Sequence, residues 1–146
     1  MVRALLTGLP VLLLCLVLQA AVLGLCLRGY TRFLQTDRPR AQWENIGILA
    51  TVMLLMLVGN FLQMGLWAVL FLLLGEFSDF ATALYHSAVN FSTLGYGDVV
   101  MSPRWRLLGP LEAANGILMF GVSTAAMTAA VMDILKGQAK GMRDSG

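Results

Sequence analysis

Three stretches of this chain run without a formal charge: 24 residues between Arg3 and Arg28, 31 between Glu44 and Glu76, and 20 between Glu112 and Asp133. A helix rises 1.5 Å per residue, so about 20 residues cross a hydrocarbon core of ~30 Å, and each stretch is long enough. Three spanning helices are therefore expected, over residues 1–28, 46–74 and 103–135. The composition agrees. The chain is 58% apolar and 12% charged, against about a quarter charged in an ordinary soluble domain. Too little chain remains for a soluble catalytic or nucleotide-binding domain, and a net charge of +2 is too small to attract a polyanion. No nucleophile with a base, no His/Cys ligand spacing and no carboxylate pair stands out, so neither an enzyme nor an organic cofactor nor a nucleic-acid partner is expected. Cys15 and Cys26 lie eleven positions apart in one helix, too far to bridge, and read as small apolar fillers.

The first span is longer than the ~7 to 15 apolar residues of a secretory signal and ends against Arg28 without a polar cleavage region, so it is read as retained. The connector at 29–45 follows, with Arg32, Arg38 and Arg40 against Asp37 and Glu44, and Pro39 as a helix breaker. Arg28 and these three arginines, with Lys136, Lys140 and Arg143 of the short tail at 136–146, make seven basic residues on one side, against Arg3, Arg104 and Arg106 on the other. The positive-inside rule then places the connector and the C-terminus in the cytoplasm and the N-terminus outside, in a multi-pass protein of the cell membrane.

Residues 75–104 are too polar to span and too apolar for an ordinary exterior loop. Ser78-Asp79 signals a helix start, and Phe80, Leu84, Ala88 and Phe91 follow at helical spacing, so a short helix is expected over 79–92. Such a helix reaches only about 20 Å, partway through the bilayer. Residues 93–97 must then return the chain in extended form to Asp98 at the outer face. Non-helical backbone is tolerated at that depth only where protein buries it or it lines a watery path.

The hexad Thr93-Leu94-Gly95-Tyr96-Gly97-Asp98, preceded by a short amphipathic helix and flanked by two spanning helices, resembles the pore domain of the potassium channel family. The hexad departs from the family's near-fixed pattern only at Leu94, where valine is usual, and the likeness covers residues 46–135. It implies an all-α membrane protein whose three spanning helices per chain accompany a re-entrant pore helix and an extended selectivity filter, assembled as a tetramer. The residues themselves suit that role. Glycine visits positive φ without steric cost, so Gly95 and Gly97 permit alternating backbone handedness, and the carbonyls of Thr93, Leu94, Gly95 and Tyr96 can face one axis around dehydrated potassium ions. One hexad per chain makes four chains necessary, and a homotetramer with cyclic symmetry is the natural closure.

Tyr85 and His86 occupy the positions that clad the filter in the family, with Tyr96 expected to pack against the short helix. His86 reads as a ring packed behind the filter, with a proton sensor as the other reading. Glu112, an acid at membrane depth, is expected to have a structural role, either neutral or accepting hydrogen bonds from Ser87 or Asn90 on the short helix, with a gating or proton-linked role as the other reading. Gly116 and Gly121 match the family's inner-helix glycines and read either as a hinge or as close packing. Ile117, Phe120, Thr124 and Thr128 share one helix face and should line the cavity below the filter. Ser102-Pro103 is expected to start the third span, with Trp105 at the outer interface, and Asn60 and Gln63 to bond neighbouring helices.

The function expected is passive, potassium-selective conduction, with potassium ions in the filter and membrane lipid around the tetramer. A weakly selective cation pore and a non-conducting pore-like subunit are the other readings. No span carries the regularly spaced arginines of a voltage sensor, so gating is expected from the filter, the inner helices, lipid, the basic connector or a separate partner. The threading has a direct test. In protein with Cys15 and Cys26 replaced, Gln35→Cys should resist an impermeant thiol reagent added to intact cells, whereas Thr7→Cys and Ser78→Cys should react; labelling at position 35 from outside would reverse the orientation.

Overall fold

A computed structural model describes residues 2–34 and 42–144. Four helices follow one another, α1 (Val2–Leu34), α2 (Gln42–Leu73), α3 (Phe80–Phe91) and α4 (Leu108–Asp144), with no strand among the described residues. Three of them contain segments long and apolar enough to cross a membrane, Val2–Gly29, Trp43–Leu73 and Leu108–Gly137. Asp37, Arg38 and Arg40 of the expected connector lie outside the described residues, as does Gln35.

Several helix limits differ from the expected ones. Helix α1 runs past Arg28 to Leu34, and α4 absorbs the expected tail as far as Asp144, since no proline follows Pro110 to stop it. Helix α4 also begins at Leu108, not at Pro103. Ser102 is tied instead to the end of α2: its backbone N–H and hydroxyl donate to Oε2 and Oε1 of Glu76 at 2.6 and 2.7 Å. The chain instead makes turns, with Trp105 and Arg106 N–H both donating to the Ser102 carbonyl, before α4 sets off. Pro110 then falls in the first turn, where its missing N–H leaves no intrahelical bond unmade. Trp105, expected at the interface, is buried in the core with the Arg104 guanidinium 5.2 Å over its ring.

Local chemistry shapes the path from α2 into α3. Gly75 takes φ +73°, and the pair of bonds Gly75 N–H to Leu72 O and Glu76 N–H to Phe71 O closes α2 in a Schellman arrangement. Asp79 then caps α3: its carboxylate accepts from the backbone N–H and the hydroxyl of Thr82, each at 2.8 Å. The backbone N–H of Thr82 is the main reason that the Asp79 carboxyl is held below its ordinary range.

Helix α3 packs between α2 and α4, while α1 packs on α2 and α4 and does not touch α3. Two apolar clusters fill the bundle. One joins Cys15, Trp67, Phe71, Phe91, Leu108 and Met119 beside α3; the other joins Cys26, Val52, Met56 and Ala130. Between their positions on all three long helices lie buried polar side chains. Gln63 Nε2 donates to Gln19 Oε1 at 2.7 Å, while Gln19 Nε2 and Asn60 Nδ2 each lie 3.5 Å from Ser123 Oγ. Asn115 Nδ2 stands 3.5 Å from Gln63 Oε1. Gln63 and Asn115 are fully buried, so this layer ties α1, α2 and α4 together where no water competes for the amides.

Removing one partner of the short amide pair leaves the other desolvated and unpaired. Gln63→Leu should therefore destabilise the protein by about 1 kcal/mol, and Gln19→Leu added to it should cost less than the two single losses summed. Unfolding midpoints in mixed micelles check both expectations.

Candidate functional site

The segment that follows α3 departs from helix in a patterned way. Ser92 ends α3, its hydroxyl donating back to Ala88 O at 2.6 Å, and the N–H groups of Leu94 and Gly95 both reach Val89 O. Thr93, Gly95 and Gly97 have φ of +62, +61 and +74°, and no other non-glycine residue among those described is positive. Every second residue from 93 to 97 is thus left-handed. The positive φ at the glycines agrees with the sequence expectation; that at Thr93 was not legible. A β-branched residue there is strained by roughly 1–3 kcal/mol, a cost that surrounding contacts must hold in place.

The contacts are specific. The Tyr85 hydroxyl donates to Asp98 Oδ2 at 2.6 Å, joining the middle of α3 to the end of the hexad. That hydroxyl is the leading reason that the Asp98 carboxyl sits below its ordinary range, and in return Asp98 raises the Tyr85 phenol. His86 is buried, with Nδ1 2.9 Å from the Val99 carbonyl and Nε2 2.8 Å from Asn90 Nδ2. A carbonyl only accepts, so Nδ1 carries the proton and Nε2 accepts from Asn90, which defines a neutral ring. Burial, the dominant influence, favours the same state by pushing the imidazole below its ordinary value. Phe71 and Phe77 enclose the ring at centroid distances of 5.5 and 4.9 Å. Glu76, which the sequence did not single out, completes the frame through its two bonds to Ser102.

Helix α4 supplies the back wall. Glu112 is fully buried and its Oε1 lies 2.5 Å from the Ser87 hydroxyl, one of the two partners expected for it. Gly116 faces the backbone of Phe91, and a Cβ added there would overlap the Phe91 carbonyl. The residue is a close-approach point between α4 and the end of α3. Gly121 faces open space and has no such constraint. Phe120 meets Phe91 edge to face at 5.7 Å. Ile117, Phe120, Thr124 and Thr128 are all exposed in the single chain, along one face of α4. Leu94 and Tyr96 are 58% and 66% exposed, so the packing expected for Tyr96 against α3 is not made within its own chain. Among the described residues no cluster of His, Cys, Asp and Glu could hold a metal ion.

Three apolar helices of spanning length make this a multi-pass membrane protein. Residues 61–133, half of the chain, match the model of a family described as ion channel, and the protein belongs to that family. The match takes in the last part of α2 from residue 61, α3, the hexad and most of α4, and leaves out α1. No curated protein and no solved structure matches the chain.

The two glycines of α4 should respond differently to a methyl group. Gly116→Ala forces α4 from the end of α3 and should cost about 1–3 kcal/mol, as overpacking does, whereas Gly121→Ala should be near neutral or stabilising. Thermal unfolding of the detergent-solubilised variants distinguishes them; equal tolerance at both positions would remove the close-approach role of Gly116.

Proposed function

We propose that the protein is a homotetrameric potassium channel in which residues 93–98 form the selectivity filter and α3 is the re-entrant pore helix. The observation that carries this reading is the alternation of handedness at Thr93, Gly95 and Gly97 within the sequence Thr-Leu-Gly-Tyr-Gly-Asp. Residues of alternating hand turn successive carbonyls toward one side, where an ordinary strand would alternate them. Four such strands around an axis replace the water shell of a dehydrated potassium ion with carbonyl oxygens. The strain at Thr93 fits a conformation retained for what it coordinates.

Assembly accounts for the surfaces that one chain leaves open. Leu94 and Tyr96, exposed in the monomer, would be covered by the pore helices of neighbouring chains, and Tyr96 would there find the packing it lacks at home. The exposed face of α4 at Ile117, Phe120, Thr124 and Thr128 would line a central cavity beneath the filter. The Thr124 and Thr128 hydroxyls donate to the carbonyls one turn back at 2.9 Å, which keeps their oxygens available to a hydrated cation. The bonds from Tyr85 to Asp98 and from His86 to Val99 would brace the outer end of each filter strand against its own pore helix. With the basic connector in the cytoplasm, Asp98 marks the outer mouth and α4 descends to the inner one. Lipid would contact the outward faces of α1 and α2, where Leu13, Val17, Leu54 and Phe61 are exposed.

Purified protein in planar bilayers, under opposed potassium and sodium gradients, tests the reading. Wild type should reverse near the potassium potential. Gly95→Ala and Gly97→Ala should abolish that preference, because a Cβ penalises positive φ by roughly 1–2 kcal/mol at each of four subunits. A wild-type reversal at which sodium and potassium count equally would make this a weakly selective cation pore, and silence under all gradients a non-conducting subunit.

A further inference from the structure

Glu112 sits where α2, α3 and α4 meet, and it is fully buried within the single chain. Ser87 Oγ lies 2.8 Å from the Met64 carbonyl of α2 and 2.5 Å from Glu112 Oε1 of α4. A hydroxyl has one proton and a backbone carbonyl has none. Both contacts are hydrogen bonds only if the carboxyl brings the second proton, donating to Ser87 Oγ while Ser87 donates to Met64 O.

The surroundings point the same way. Glu112 Oε2 is buried and has no hydrogen-bond partner. The Asn90 amide also bonds the carboxyl, while its Nδ2 lies 2.8 Å from His86 Nε2. No cation acts on the carboxyl; Arg104 and Arg106, in the turns before α4, are exposed. On α2 no titratable residue lies between Glu44 and Glu76. On α3 the neutral His86 spends its nitrogens on Val99 and Asn90. On α1 the nearest group is the Cys15 thiol, and on α4 Asp133 and Lys136 are about 30 Å or more along the helix. A short O–H···O contact also suits an ionised acceptor, but the ion would then rest on the neutral donors Ser87 and Asn90 with no counter-charge, and Ser87 would have to give up the Met64 carbonyl to reach it.

We propose that Glu112 is held as a neutral carboxylic acid whose proton, relayed through Ser87 to the Met64 carbonyl, fastens α3 to α2 and α4. Its consequence for conduction rests on the filter reading above: Glu112 is a positioning residue for the filter, and alkaline conditions that strip the proton should loosen α3 and with it selectivity. Deprotonation replaces a donor with an acceptor opposite Ser87, so the three-helix contact loses one of its two bonds and gains a bare charge.

Two measurements read the proton and the fastening without relying on ion flow. Infrared spectra of the full chain with isotope-labelled glutamate should contain a carboxylic-acid carbonyl band at neutral pH that is absent in Glu112→Gln. Only carboxylate bands there would overturn the proposal. Hydrogen exchange of α3 backbone amides should be close to wild type in Glu112→Gln, which keeps a donor, and at least about tenfold faster in Ser87→Ala, which keeps the acid but breaks the relay. Unchanged exchange in Ser87→Ala would overturn the fastening role even with the acid band present. In bilayers, Glu112→Gln should keep potassium preference at alkaline pH where wild type loses it. A wild type without potassium preference defeats the filter reading, while the infrared and exchange results still decide this one.

Discussion

Hydrocarbon offers nothing to a backbone N–H or carbonyl, and that requirement organises the molecule. Three long helices meet it by themselves. The segment from Ser92 to Leu107 cannot, and its path depends on bonds made at both ends. Toward α2 the Glu76 carboxylate grips Ser102; toward α3 the Tyr85 hydroxyl and the His86 ring take Asp98 and the Val99 carbonyl. At its start, two N–H groups of the hexad share the Val89 carbonyl. A strained Thr93 and two left-handed glycines lie between these anchors, so the irregular backbone is over-determined from outside itself. A scaffold of this kind suits a site that must hold its shape while ions pass.

Helix α1 lies outside the family match, yet it is not a loose addition. Its Gln19 enters a buried layer with Gln63, Asn60, Asn115 and Ser123, and Cys15 packs with Trp67 and Met119. An amide in hydrocarbon without partners is costly, so each of these side chains holds its neighbours in register. Asn115 adjoins Gly116, which abuts the end of α3. The layer that seats α1 is therefore one residue from the contact that seats the short helix, and displacement of α1 would be felt near the hexad.

The acid at 112 and the histidine at 86 illustrate one physical rule on opposite sides of α3. Each is an ionisable group taken from water: His86 is buried and bonded as a neutral ring although Asp98 and Glu76 favour its charged form, and the acid proposed at position 112 pairs with Ser87. In the proposed arrangement both neutral groups act as donors of fixed direction that hold a short helix between two longer ones.

How much was legible in the sequence follows from the range of each interaction. Charge-free length dictates spanning helices whatever packs against them, and Asp79 before an apolar period dictates a capped short helix, because both depend on nearest neighbours along the chain. The alternation of glycines likewise announced left-handed positions at 95 and 97. The left-handed Thr93, the Glu76 bonds to Ser102, the start of α4 at Leu108, the Tyr85 bond to Asp98 and the close approach at Gly116 were invisible. Each joins residues that are remote in sequence or takes its form from a neighbour's backbone. Gln63 was recognisable as a polar residue seeking a partner, but nothing in the order of residues identified Gln19 as that partner. The sequence by itself determined which segments must be helical and where the backbone must turn left-handed, since those are local steric and solvation demands. Only the tertiary structure decided which polar groups meet, because in a bundle the partner of a buried amide, acid or imidazole is set by how helices rotate and settle against one another.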